Sequence, residues 1–218
     1  ALRLCNEAIQ QKANFIALPE MFNLRLEKYS SDETESIPGP SLMPFIDFAK
    51  KNNVYILAGS IAEHVPGTDR CLNTSVLIDN NGNINARYSK IHLFDVDIDN
   101  KKIEESKSYI PGKEAVLGSV FNIPVGLSIC FDLRFPKLYR SYFEKGAKIL
   151  CVPASFTKTT GEAHWEMLLR ARAIENQCFV IAPNQIGIGP GHISSYGNSL
   201  IIDPWGSILS RGSSDKEE

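Results

Sequence analysis

Val125-Gly126-Leu127-Ser128-Ile129-Cys130-Phe131-Asp132-Leu133-Arg134-Phe135-Pro136 is the stretch from which the architecture of this 218-residue chain can be read. Residues 125–129 are apolar and β-prone, and Gly126 lets another backbone come close. The run breaks at Cys130, polar residues follow, and Pro136 starts a helix. A strand that stops at a thiol and gives way to a helix lifts that thiol to the carboxyl end of a sheet. In α/β sheets that is where ligands bind. A thiolate there can be activated by neighbouring groups and by N–H groups of the turn. The competing reading is a small core residue, since free Cys is among the most buried types.

Two further segments decide between these readings. In Phe15-Ile16-Ala17-Leu18-Pro19-Glu20-Met21-Phe22 a short apolar strand ends at Pro19 and a carboxylate follows at once. In Ile84-Asn85-Ala86-Arg87-Tyr88-Ser89-Lys90-Ile91-His92-Leu93-Phe94 a strand-like run ends in a Lys among apolar residues. A lone Glu or Lys at a strand end is usually a solvated edge charge. An acid, an amine and a thiol, each where an apolar strand stops, together supply a base, an oxyanion stabiliser and a nucleophile.

Outward from these segments, strands and helices alternate. A helical pattern (Leu4, Ala8, Ile9) precedes the strand at 15–18, and a loop rich in Ser, Glu, Asp and Pro runs to Pro40. Ser41 is expected to cap a helix carrying Leu42, Phe45, Ile46 and Ala49 on one face, with Pro44 in its first turn. Strands are expected at 54–60, at 75–79 and 84–88 around the hairpin signal Asn80-Asn81-Gly82-Asn83, and at 116–121 and 125–130. A helix at 136–145 stops at Gly146. Then come a strand at 149–152, a long helix at 162–177, strands at 179–182 and 200–203, and the start of a last one at 208. No repeat or linker divides residues 1–218, so one domain is expected, an α/β layer sandwich with mixed sheets.

Composition sets the outer bounds. Hydrophobic content of 43% and charged content of 22% are those of an ordinary soluble protein. A net charge of −2, with no long Lys/Arg cluster, makes no electrostatic case for nucleic acid. No apolar run approaches the length of a membrane span. The five cysteines (Cys5, Cys71, Cys130, Cys151, Cys178) are widely spaced without a C-x-x-C pair, which speaks against a zinc knuckle or dithiol motif. Their odd number fits a reducing compartment, and a cytoplasmic location is expected. In that setting Asn73-Thr74-Ser75 reads as a chance match to a glycosylation acceptor.

The chain resembles the nitrilase superfamily of carbon–nitrogen hydrolases. The resemblance rests on Leu18-Pro19-Glu20, on Tyr88-Ser89-Lys90-Ile91-His92-Leu93-Phe94 and on Cys130-Phe131-Asp132-Leu133-Arg134-Phe135-Pro136, in the family's order. It extends through Thr160-Gly161-Glu162-Ala163-His164-Trp165-Glu166, Arg170-Ala171-Arg172-Ala173-Ile174-Glu175, Ser195-Tyr196-Gly197 and Asp203-Pro204-Trp205-Gly206, nearly the whole chain. It implies a four-layer αββα sandwich that pairs into a homodimer or higher homo-oligomer, with the helix of residues 162–177 at the interface and near the pocket. Measured against the family, the chain is expected to lack a first strand and a C-terminal arm, and a mitochondrial targeting segment could precede it.

The same resemblance implies an amidase with no metal or organic cofactor, acting on a small-molecule amide. Cys130 would be the nucleophile, Glu20 the general base and acid, and Lys90 the oxyanion donor together with the Phe131 N–H. Glu105, preferred over its neighbour Glu104, would keep Lys90 charged. Phe156, Thr157 and His164 are expected in the pocket wall. Asp132 and Arg134 are expected in a buried salt bridge that orients the turn. Lys137 stands where the family usually has an acid. Gly187-Ile188-Gly189-Pro190-Gly191 reads as a loop near the site rather than a phosphate loop. A papain-like Cys–His site is disfavoured because no His lies in such a signature. Residues 164–175 with Gln177-Cys178 are most similar to the branch acting on deaminated glutathione, which releases 2-oxoglutarate and cysteinylglycine. The alternative branch acts on 2-oxoglutaramate. An alternative of another class is a catalytically silent scaffold, which would be expected to lack one of Glu20, Lys90 and Cys130.

Overall fold

The computed structural model describes residues 1–26, 28–98 and 101–218. The chain opens with helix α1 (Leu2–Gln10), strand β1 (Phe15–Ala17), helix α2 (Met43–Asn52) and strands β2 (Tyr55–Glu63), β3 (Leu72–Ile78) and β4 (Ile84–Ser89). A hairpin of β5 (Asp95–Ile98) and β6 (Lys101–Glu104) follows, then β7 (Leu117–Val120) and β8 (Ile123–Leu127). Helix α3 (Pro136–Glu144), β9 (Ile149–Cys151), helix α4 (Lys158–Asn176), β10 (Phe179–Ala182), β11 (Leu200–Ile202) and β12 (Ile208–Arg211) complete the order.

Two mixed sheets form. One has the order β1-β2-β3-β4, the other β12-β11-β10-β9-β8-β7. The parallel pairs are β1 with β2, β8 with β9, and β9 with β10. These are the pairs bridged by α2, α3 and α4, as parallel strands require a crossover. The remaining pairs are antiparallel.

Alternation along the strands builds four layers. Ile56, Ala58, Val76 and Ile78 face α1 and α2 through Cys5, Leu42, Phe45 and Ala49. Leu57, Leu77, Ala86 and Tyr88, on the opposite face, join a core with β8 and β9 that continues to Tyr139, Tyr142, Trp165 and Leu169 of α3 and α4. The order helix, sheet, sheet, helix is the αββα sandwich. Gly126 serves close packing, but against a ring rather than a backbone: a Cβ there would stand 2.7 Å from Tyr142 atoms.

Several boundaries differ from expectation for local reasons. Ser41 does not cap α2, whose first residue is Met43. Its N–H and hydroxyl instead go to the Glu35 carboxylate. Helix α4 starts at Lys158 rather than at residue 162, because Thr157 caps it by accepting from the Thr160 N–H at 3.4 Å. Strand β8 ends at Leu127, and Cys130 opens a short 3-10 turn, Cys130–Arg134. The hairpin β5–β6 has no counterpart in the sequence reading.

Candidate functional site

Each key side chain leaves the end of a strand. Leu18 extends the β1 ladder by bonding the Leu57 carbonyl at 2.9 Å. The chain then turns across the β2 irregularity between Ala58 and Ile61. Only glycine fits at position 59, where a Cβ would lie 1.9 Å from the Pro19 carbonyl oxygen. Met21 completes the turn in the left-handed region (φ 51°), its N–H donating to Ser60 Oγ at 3.0 Å. Lys90 follows β4 directly, and its N–H donates to the Asn73 carbonyl at 2.9 Å. Beyond the end of β8, Cys130 also adopts a left-handed backbone (φ 46°), and its N–H donates to the Pro153 carbonyl at 2.9 Å. Backbone strain in a non-glycine residue concentrates where surrounding structure over-determines it, as at reactive sites.

The groups meet between the two sheets. Lys90 Nζ donates to Glu20 Oε1 at 3.0 Å and to Glu105 Oε1 at 2.9 Å. Glu20 Oε1 also accepts from Asn73 Nδ2 at 2.9 Å, and Oε2 from the Ser155 N–H at 2.8 Å. Gln185 Nε2 donates to the Glu20 carbonyl at 2.9 Å, so both sheets fix this residue. Glu105 Oε2 accepts from the Phe94 N–H at 2.7 Å. Glu104 turns to solvent and pairs with Lys102 and Lys107, so Glu105 is the one that reaches Lys90.

Burial opposes the charge on Lys90, yet Glu105 and Glu20 outweigh it and hold the ammonium well above the usual lysine range. Burial pushes the Glu105 carboxyl up, against the pull of Lys90. Burial and repulsion from Glu20 keep the Cys130 thiol well above its ordinary value despite Lys90. The resting thiol is therefore protonated and needs a base to become a nucleophile.

Glu20, Glu105 and Cys130 line a cavity of about 850 Å³, together with Phe131, Phe156 and Thr157. Gly189, Pro190 and Gly191 of the glycine-rich loop border it too. His164 does not. It lies exposed on α4 with Nδ1 3.2 Å from Arg134 Nη2, while Arg134 stacks over the rings of Phe131 and Phe156, which do line the cavity. The arginine fills the space between His164 and the wall.

The turn itself is fixed by Asp132, which is fully buried. It accepts from the Tyr88 hydroxyl at 2.7 Å, the Ile129 N–H at 2.9 Å and the His92 N–H at 3.0 Å, with His92 Nδ1 at 2.7 Å. Arg134 is not its partner, contrary to the expected salt bridge. Sequence reasoning also missed Asn73, Ser155 and Gln185. Asn73 carried a signal: Asn73-Thr74-Ser75 is polar inside an otherwise apolar strand, and all three are buried, so the acceptor-like triplet is packing and site chemistry.

Among the described residues, no group of three or more His, Cys, Asp or Glu is placed to hold a metal ion, and no helix is long and apolar enough to cross a membrane. Comparison with known proteins gives a consistent result. The carbon–nitrogen hydrolase family model matches residues 1–218. Deaminated glutathione amidase of Dictyostelium discoideum is 43% identical, over 95% of this chain and 76% of its own length. Omega-amidase NIT2 of Mus musculus is 37% identical, over 99% and 78%. The crystal structure of the C. elegans NitFhit protein superposes with a TM-score of 0.86 at 35% identity, covering 96% of this chain and 52% of that longer one.

Proposed function

The chain belongs to the carbon–nitrogen hydrolase family and is an amidase-type hydrolase, and from that premise we propose how its residues act and on what. The observation that carries the reading is a buried ammonium bonded to two carboxylates, near a thiol that lines a cavity.

Glu20 takes the proton of Cys130 Sγ as the sulfur attacks the amide carbonyl carbon. The carbonyl electrons move onto oxygen, and the oxyanion is met by the Lys90 ammonium and the Phe131 N–H. Collapse re-forms the carbonyl and breaks the C–N bond, and Glu20 returns its proton to the departing nitrogen. The amine leaves and a thioester remains. Water then attacks the thioester while Glu20 takes its proton. The second collapse breaks the C–S bond, releases the acid, and returns the proton to sulfur. Glu105 holds Lys90 charged throughout.

The substrate we favour is deaminated glutathione, cleaved to 2-oxoglutarate and cysteinylglycine. The 43% identity to an amidase of that name supports it. A second reading, 2-oxoglutaramate, draws on the 37% identity to omega-amidase NIT2. Both pass through the same 2-oxoglutaryl thioester, so only the leaving-group side of the cavity distinguishes them. We further propose that two copies pair through α4 and the neighbouring strands, a reading supported by exposed Met167, Ile174, Trp205 and Leu209.

The test is intact-protein mass spectrometry with turnover assays on both substrates, for wild type and Cys130→Ala. A Cys130-dependent acyl adduct with faster turnover of the tripeptide analogue supports the first reading. Faster turnover of 2-oxoglutaramate moves the assignment to the second. Full activity in Cys130→Ala would end the covalent scheme.

A further inference from the structure

The cavity that holds Cys130 is also lined by cations. Arg25, Lys28, Lys102 and Lys107 all border it. The three lysines are exposed at the rim, and Lys102 and Lys107 share Glu104. Arg25 is different. It is partly buried, and among the described residues no carboxylate pairs with it.

Its guanidinium is held in place by neutral groups. Nη1 donates to Ser195 Oγ at 2.8 Å and to Ser155 Oγ at 3.2 Å, and Nη2 to the Ile186 carbonyl at 3.3 Å. A guanidinium has five N–H groups. These contacts use three, and among the described residues Nε–H and one hydrogen on Nη2 are left for a ligand. Ser155 places the group relative to the chemistry: its N–H donates to Glu20 Oε2 at 2.8 Å while its Oγ accepts from Arg25. The glycine-rich loop lies close against the guanidinium: a Cβ at Gly189 would stand 3.3 Å from Arg25 Nη1. Burial lowers the pKa of Arg25, the mark of a cation whose desolvation is incompletely offset.

We propose that Arg25 is a specificity-determining residue that anchors a carboxylate at the far end of the substrate's acyl chain. The enzyme then selects monoamides of dicarboxylic acids over uncharged amides. The inference rests on the amidase reading above and adds the residue that chooses the acyl group. An anchor for the acyl group serves amides with different leaving groups. The forked N–H geometry of arginine suits a carboxylate.

The experiment compares glutaramate with pentanamide, five-carbon amides that differ in the terminal carboxylate, in wild type, Arg25→Gln and Arg25→Lys. Wild type is expected to favour glutaramate in kcat/KM by on the order of 100-fold, the worth of a charge-assisted pair. Arg25→Gln is expected to lose most of that ratio, and Arg25→Lys to recover part of it, mainly through KM. A ratio unchanged in Arg25→Gln overturns the inference and leaves the amidase reading standing. If Arg25→Gln does not fold, Arg25→Lys decides: a ratio equal to wild type overturns the proposal, and a reduced one supports it. Wild type that turns over both amides without preference also overturns it. Wild type that turns over neither, and forms no acyl adduct with either, takes down the amidase reading on carboxylate-bearing substrates and the inference with it.

Discussion

The Tyr88 hydroxyl donates to Asp132 Oδ2 at 2.7 Å, linking a strand of one sheet to the turn that the other sheet uses to present Cys130. Both residues are fully buried. Asp132 Oδ2 also holds the Ile129 N–H, so this bond ties the register of β4, which leads into Lys90, to the position of the thiol. Tyr88→Phe removes the donor without opening a cavity. Leaving a buried carboxylate short of one partner costs about 1–3 kcal/mol. For a chain of this size that corresponds to a fall in Tm of roughly 2–12 °C. Amidase kcat/KM is expected to fall with it, through loss of alignment between Lys90 and Cys130. Thermal melts and steady-state kinetics on the same preparation check this; an unchanged melt and unchanged kcat/KM would show that the bond does not matter.

Lys90 is 1% exposed and bonds two carboxylates. Lys90→Met leaves both acids without their cation, and breaking a buried ion pair in this way costs about 3–5 kcal/mol. The loss should depend on pH in a definite direction. Burial already raises the Glu105 pKa, and removal of Lys90 takes away the charge that lowers it. A carboxyl whose folded pKa is raised favours the native state below its unfolded pKa and loses that contribution as pH rises through the folded value. The stability deficit of Lys90→Met is therefore expected to be smaller at pH 5 than at pH 8, measured by urea unfolding against wild type. A constant deficit would contradict the account.

Glu20, Lys90 and Cys130 were legible because each interrupts an apolar run, and an interruption stands out against a hydrophobic pattern. Asn73, Ser155, Gln185 and Arg25 were not, for two reasons. Asn73 is polar on a strand whose polarity serves a buried carboxylate, and the same triplet imitates a surface signal. The others come from loops, where no period separates a residue that faces a cavity from one that faces water. The left-handed backbone at Met21 and Cys130 was equally hidden, since that conformation is normally announced by glycine. The β5–β6 hairpin escaped because Asp95-Val96-Asp97-Ile98 and Lys101-Lys102-Ile103-Glu104 carry too little apolar character to read as strands.

Gln177 terminates α4 in the left-handed region (φ 52°, ψ 42°) with its side chain exposed. Gly146, just beyond α3, shows the residue that such a position prefers, at φ 85°. An L-residue with a Cβ pays roughly 1–2 kcal/mol in this conformation, part of which glycine gives back as greater freedom in the unfolded chain. Gln177→Gly is expected to stabilise the protein by about 0.5–1 kcal/mol without altering kcat/KM. Gly146→Ala should do the opposite to stability. A melt that moves the same way for both substitutions would refute the argument.

The buried thiols predict the alkaline edge of stability. All five cysteines are free and buried. Burial pushes Cys71 up to about 11 and Cys151 up to about 12. An unfolded thiol ionises near pH ~8.5, so above that pH the unfolded chain releases protons that the native state retains. With the native state holding more protons, unfolding free energy falls as pH rises. The contribution of each such thiol is complete below the unfolded value and is lost progressively up to the folded one, at about 1.4 kcal/mol per pH unit where the difference is full. Between about pH 8 and 9.5 unfolded tyrosines are still largely protonated, so in this window the slope belongs chiefly to the thiols. Urea midpoints across it should fall for wild type and fall less steeply for a Cys71→Ala/Cys151→Ala double variant. The comparison of slopes is insensitive to whatever constant stability the two substitutions remove. Equal slopes would mean that these thiols ionise as readily in the folded protein as in the unfolded chain, and would overturn the prediction.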